Sequence, residues 1–247
     1  MCLLSYLHTY KELPNQRQLT TSGNRLIMHA KLGFMVKWTD GETIFDTVQP
    51  VFKCKVPRLT SVIDCFETFT QVPKYLLARA QCYGSYKKHC TVKVFISCTP
   101  LGSINFMSNE WGGRALNIKT VRESGFIDPK YHMPGDQILG DRGFTLKDDF
   151  ATICSAELLT PSFTKVIKQL PARDVEISRK ISSVRIHIER VIGSMKNRFT
   201  ILKGILPIRC VKSIKDESIE TMISICDKII KVCAALTNLG TGIVFKE

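Results

Sequence analysis

Three acidic residues stand where an apolar sequence would ordinarily exclude a charge. Asp64 lies inside Val62-Ile63-Asp64-Cys65-Phe66. Asp141 follows Gln137-Ile138-Leu139-Gly140 and precedes Arg142-Gly143-Phe144, and Glu189 lies in Arg185-Ile186-His187-Ile188-Glu189-Arg190. A carboxylate at the edge of a buried element needs a partner, and a divalent cation is among the strongest. Three carboxylates from two neighbouring strands and a facing helix suit a pair of Mg²⁺ ions about 3.5 to 4 Å apart, one activating an attacking water or 3′-hydroxyl and the other stabilising the leaving oxygen. Each acid also has an ordinary reading. An Asp at a strand end is commonly a turn or cap residue, and Glu189 lies four residues after Arg185 and beside Arg190, so an ion pair explains it alone.

The elements that must position these acids follow from pattern. Residues 59–66 (LTSVIDCF) are β-branched and apolar, as a buried strand requires. Residues 91–98 (TVKVFISC) form a second strand ending at the turn Thr99-Pro100-Leu101-Gly102, with Ser103 to Met107 as its hairpin partner. A short helix is expected over 118–123. A brief strand over 137–140 delivers Asp141, a helix covers about 145–154, and a short strand lies near 156–159.

The clearest element is a helix from Asp174, as N-cap, to Arg198, with Ile177, Ile181, Val184, Ile188, Val191 and Met195 on one stripe. A last amphipathic helix is expected from Glu217 to Leu239. Early strands with helices between and after them make an α/β domain with one mixed sheet.

The chain has 35 basic and 22 acidic side chains in 247 residues, a net charge of +13 that favours a polyanionic partner. The most apolar stretch, Thr221 to Leu239, contains Asp227, Lys228 and Lys231, so it does not read as a membrane span. No secretory leader is evident at the N-terminus. Ten scattered cysteines without zinc spacing read as reduced thiols, not a disulfide framework or a zinc finger. Between Lys165 and Lys215, thirteen basic residues face only Asp174, Glu176 and Glu189. That imbalance suggests a phosphate-binding surface, with Arg179, Lys180, Arg185, Arg190 and Lys196 as DNA-facing candidates. His187 is about 200° around the helix from Glu189, which favours a structural or DNA-facing role over metal ligation. His89 beside Lys87-Lys88 reads as a phosphate neighbour or an exposed turn. Gly112, Gly113 and Gly143 read as turn glycines, and no phosphate-loop or dinucleotide fingerprint is present.

The segments VPRLTSVIDCFETF, ARAQCYGSYKKHCTVKVFISCTPLGSINFMSNEWGGR, SGFIDPKYHMPGDQILGDRGF, RKISSVRIHIERVIGSMKNRFTIL and DKIIKVCAALTNL occur in this order between Pro57 and Leu239. Together they resemble the DDE superfamily endonucleases of the PIF/Harbinger type, the catalytic domains of those transposases and of their domesticated relatives. The resemblance implies an RNase H-like fold with a mixed central sheet flanked by helices. It implies Asp64, Asp141 and Glu189 as the catalytic and metal-binding acids, and Mg²⁺ or Mn²⁺ as cofactor. It further implies DNA as substrate, nuclear localisation, no membrane association, and a separate DNA-binding protein and a second copy of the chain as candidate partners. Residues 1–56 then read as an incomplete leading region, 57–240 as the catalytic domain and 241–247 as a tail.

Two departures bear on activity. Similar sequences usually carry an acid shortly after the Trp-Gly-Gly-Arg segment, where this chain has Ala115-Leu116-Asn117. They also have a larger N-terminal region with a DNA-binding helical module. The leading expectation is a metal-dependent nuclease and strand transferase. The alternative is a domesticated or truncated copy that binds DNA or a protein without turnover, and a nuclease acting on RNA or on an RNA:DNA hybrid would share the same fold and metals.

Overall fold

The computed structural model describes residues 35–48, 50–161, 172–211 and 223–240. The central strand is β1 (Leu59–Phe69), flanked on one side by β3 (His89–Cys98) and on the other by β6 (Gln137–Leu139), beyond which lies β7 (Glu157–Leu159). β1 and β3 are antiparallel, whereas β1, β6 and β7 are parallel, so the sheet is mixed. Three shorter strands, β2 (Tyr83–Gly84), β4 (Ile104–Met107) and β5 (Trp111–Gly112), all pair with β3.

Both faces of the sheet are covered, and alternation along the strands assigns each residue to a face. Val62 and Phe66 of β1, with Val94 and Ile96 of β3, pack against the long helix α6 (Ala172–Arg198) and the C-terminal helix α7 (Ile225–Asn238). The same cluster takes Ile44 and Val48 from α1 (Gly41–Thr47) and its C-cap, and Phe52 from α2 (Pro50–Lys55). Ile63 and Phe95 point the other way, toward Val121 of α4 (Asn117–Arg122) and Phe150 and Cys154 of α5 (Lys147–Cys154). The remaining helix, α3 (Leu76–Cys82), packs near β3 and β5.

The expected strands appear with small shifts at their ends, and the turn after β3 joins it to β4 as a hairpin. The long helix begins at Ala172, so Asp174 lies inside it and is not its N-cap. Its stripe is buried at Ile181, Val184, Ile188, Val191 and Met195, but Ile177, in the first part of the helix, is 42% exposed. The described part of α7 starts after Ser224, whose side chain accepts from the Asp227 N–H at 2.9 Å. The expected start at Glu217 lies outside the described residues. α1 is capped similarly by Asp40, which accepts from Thr43 N–H at 2.8 Å.

Gly112 and Gly113 are required by close approach. A Cβ on Gly112 would collide with the backbone carbonyl of Gln81, and one on Gly113 with Thr91 Oγ1. No described helix is long and apolar enough to cross a membrane, and the nine cysteines among the described residues are free.

Ile177 and Ile181 are one turn apart on α6, yet only Ile181 joins the core, at 4% exposure. Ile181→Ala is expected to cost about 2 to 4 kcal/mol in urea unfolding, and Ile177→Ala to change stability by less than about 0.5 kcal/mol.

Candidate active site

Parallel pairing sets Val62 opposite Leu139. Asp64 lies two residues beyond Val62, and Asp141 two beyond Leu139, so both acids follow the last paired positions of two adjacent strands. Asp64 remains within β1, paired with Ile96, and shares the α6 face with Val62 and Phe66. Asp141 has already left β6 and opens a turn closed by Phe144 N–H donating to its carbonyl at 3.0 Å. Glu189 approaches from above on α6, one residue after the buried Ile188.

Arg185 joins these elements. Its Nη2 lies 2.7 Å from Glu189 Oε1 and its Nη1 3.7 Å from Asp141 Oδ1, with the Arg185 side chain 23% exposed. Asp64 lies deeper. Its Oδ1 accepts from the Cys65 N–H at 2.7 Å, and burial pushes its pKa from 3.8 up to about 6. The Cys65 hydrogen bond and the charge of Arg185 oppose that rise, and the charges of Asp141 and Glu189 add to it. The three acids are thus near enough for the charges of Asp141 and Glu189 to act on Asp64.

They do not yet form a closed ligand set. Among the described residues, no three His, Cys, Asp or Glu side chains stand together in metal-ligating range. The guanidinium takes up the space between Asp141 and Glu189. The donor set nonetheless suits a hard divalent cation: oxygen-only, anionic, and with one member whose burial and neighbours disfavour its charge until a cation is near.

The other expected residues divide. Arg179, Lys180 and Arg190 lie toward solvent on α6, with Lys180 3.1 Å from Glu176. Lys196 is turned inward, its Nζ donating to the Glu67 carbonyl at 2.6 Å beneath the Phe66 ring, so it is no free phosphate ligand. Arg185 is likewise committed to the acids. Lys165, Lys168, Lys212 and Lys215 lie outside the described residues. His187 packs edge-on against Phe52 with ring centroids 5.1 Å apart, in line with its structural reading. His89 sits at the start of β3 against the ring of Phe69.

Asn117 lies on the opposite face of the sheet. Its Oδ1 accepts from Lys93 Nζ at 3.2 Å, and Lys93 also donates to the Ala115 carbonyl at 2.7 Å and stands 3.6 Å from Glu67. Lys93 pairs directly with Glu67, three residues beyond Asp64 on β1, and an odd offset reverses the face. These residues, with Tyr86, Arg114 and Gly143, line a cleft of about 300 Å³. Sequence reading missed the Glu67–Lys93 pair. Its signal was a charge at each of two positions in otherwise apolar strands.

Without metal, the folded protein holds the Asp64 proton until about pH 6, whereas the unfolded chain releases it near 3.8. The folded state binds more protons in that window, so this group's contribution to stability falls as pH rises from about 4 to 6 and stays low above it. Urea unfolding in EDTA is expected to show Asp64→Asn gaining on wild type across that window by up to about 3 kcal/mol. A constant difference between pH 4 and 7 would contradict the assignment.

A search of curated proteins and one of solved structures gave no match. The family model of the DDE superfamily endonucleases matches residues 63–238. The match spans Asp64, Asp141, Arg185 and Glu189, and it covers well over half of the chain, whose mixed sheet flanked by helices is consistent with such a nuclease domain. The protein belongs to the DDE superfamily endonucleases.

Proposed function

We propose that the protein is a metal-dependent DNA endonuclease and strand transferase of the PIF/Harbinger type, built on an RNase H-like domain, with Asp64, Asp141 and Glu189 as its catalytic acids. Family membership supports a transposase or nuclease function on phosphodiester bonds, with DNA as substrate. The observation that supports the site assignment is the Arg185 guanidinium, which contacts both Asp141 and Glu189 close to the end of the β1–β6 ladder that Asp64 and Asp141 follow.

Asp64, Asp141 and Glu189 would hold the divalent cations that the family typically uses. Such cations neutralise charge on the phosphate and activate the attacking oxygen. The chain's own contribution is geometric. Asp64 is held by β1 and the Cys65 N–H, Asp141 by the turn after β6, and Glu189 by the buried stripe of α6. A rigid frame of this kind serves phosphodiester cleavage, where in-line positioning matters more than a protein nucleophile. Nuclear localisation, and a separate DNA-binding protein and a second copy of the chain as partners, belong to the same proposal. The subtype rests on the five segments between Pro57 and Leu239.

A non-catalytic, domesticated role is the second reading, favoured by Asn117. The location of that residue on the far face, hydrogen-bonded to Lys93, weakens this alternative.

Incubation with DNA carrying the parent element's terminal repeats, in Mg²⁺ or Mn²⁺, is expected to yield nicked product. Asp64→Asn, Asp141→Asn and Glu189→Gln should each reduce cleavage to background while DNA binding persists. Cleavage that survives all three substitutions would remove the assignment, and binding without any cleavage in wild type would support the non-catalytic reading. Among the basic residues, Arg179→Ala and Arg190→Ala are expected to flatten the plot of log affinity against log salt by about 0.9 for each phosphate no longer neutralised. Lys196→Ala should leave that slope unchanged.

A further inference from the structure

We propose that Arg185 is a built-in counter-ion, which holds the acids together before the metal arrives and is exchanged for it when the metal binds. This inference rests on the reading of Asp64, Asp141 and Glu189 as the metal-binding set.

An arginine four residues before a glutamate on a helix is usually a surface pair of small effect. Arg185 departs from that pattern in two ways. Its guanidinium spans two elements, contacting Glu189 on its own helix and Asp141 on the turn after β6. It is also mostly shielded, at 23% exposure, whereas Glu189 and Asp141 are 49% and 46% exposed. The guanidinium is thus more shielded than either carboxylate it contacts, and its charge also acts on Asp64.

The charges explain why something must occupy this place. Three ionised carboxylates converging on one another repel. An arginine stays protonated at any accessible pH and offers a planar fork that can meet two of them at once. The two contacts are unequal. The 2.7 Å contact to Glu189 is a short charge-assisted hydrogen bond, and the 3.7 Å contact to Asp141 is a looser ion pair. A divalent cation brings twice the charge to the same oxygens and takes several of them as direct ligands. Arg185 has a long stem anchored only at its helix, so it can withdraw by rotamer change while the backbone stays in place.

Exchange makes a prediction that a fixed structural ion pair does not. If the metal must displace the guanidinium, removing the guanidinium strengthens metal binding and weakens only the metal-free protein. If Arg185 is a fixed brace, its removal weakens the protein equally with and without metal.

The test is Mn²⁺ titration by calorimetry, paired with thermal melts in EDTA and in saturating Mn²⁺. It uses the full chain as wild type, Arg185→Gln, Arg185→Lys, and a combined Asp64→Asn, Asp141→Asn, Glu189→Gln variant. Arg185→Gln is expected to bind Mn²⁺ roughly three- to fivefold more tightly than wild type, the factor expected for removal of a competing ion pair whose carboxylates are about half exposed. It should melt lower than wild type in EDTA, and the gap should close in Mn²⁺. Arg185→Lys keeps the charge and is expected to stay within about twofold of wild type in affinity, which separates charge competition from misfolding. Unchanged or weaker Mn²⁺ binding by Arg185→Gln, or an equal melting deficit in both conditions, would overturn the exchange. Mn²⁺ binding by the combined variant as strong as wild type, or no binding by wild type, would instead remove the metal-site reading on which the exchange rests.

Discussion

The parallel pairing of β1 with β6, in step at Ser61 and Val62 after an irregularity between Leu59 and Ser61, is the constraint on which the acidic end of the sheet depends. A slip of one residue would turn Asp64 or Asp141 to the opposite face, because side chains alternate along a strand. The register is held by packing on both faces: Ile138 joins the cluster under α4 and α5, and Leu139 joins the cluster under α6. Gly140 then lets the chain pass close to Ile63. A Cβ there would lie 3.2 Å from the Ile63 side chain, tight enough to push the segment that carries Asp141. The Gly140 N–H still donates to the Leu159 carbonyl at 3.0 Å, so the chain leaves β6 while tied to β7.

The sheet also separates two charged systems that adjoin one another in sequence. Asp64, Asp141, Arg185 and Glu189 gather on the α6 side. Glu67, Lys93 and Asn117 gather on the other, with Thr91 Oγ1 donating to Glu67 Oε2 at 2.8 Å. In the second system, the partners of Lys93 are two neutral oxygens and one carboxylate, so the buried cation is satisfied without an acid at position 117. Gly143, two residues from Asp141, approaches Asn117: a Cβ on it would lie 3.7 Å from the Asn117 Nδ2.

α6 does three kinds of work in one helix. Its apolar stripe packs on β1, Arg185 and Glu189 meet the acids of the sheet, and Lys196 reaches back to the Glu67 carbonyl. The dense basic character of this region therefore overstates the charge available to DNA. Arg185 and Lys196 are engaged inside the domain, which leaves Arg179, Lys180 and Arg190 as the solvent-facing members of the expected set. A lysine donating to a buried carbonyl or an arginine between carboxylates counts toward net charge but presents little of it to a phosphate.

Sequence alone was enough for the elements whose burial is periodic. β1, β3, the β3–β4 hairpin and α6 are apolar at intervals of two or three to four residues, and that pattern is local. The three acids were legible for the same reason, as charges interrupting apolar runs in an order that resembles a known family. α1 and α2 left no such trace: each is seven residues or fewer, and Ile44, Val48 and Phe52 read as scattered apolar residues until the α6 face of the sheet is there to receive them. The sequence likewise placed Arg185 near Glu189 but not near Asp141, 44 residues away. That contact joins α6 to the turn after β6, a relation between elements far apart in the chain that only long-range packing decides.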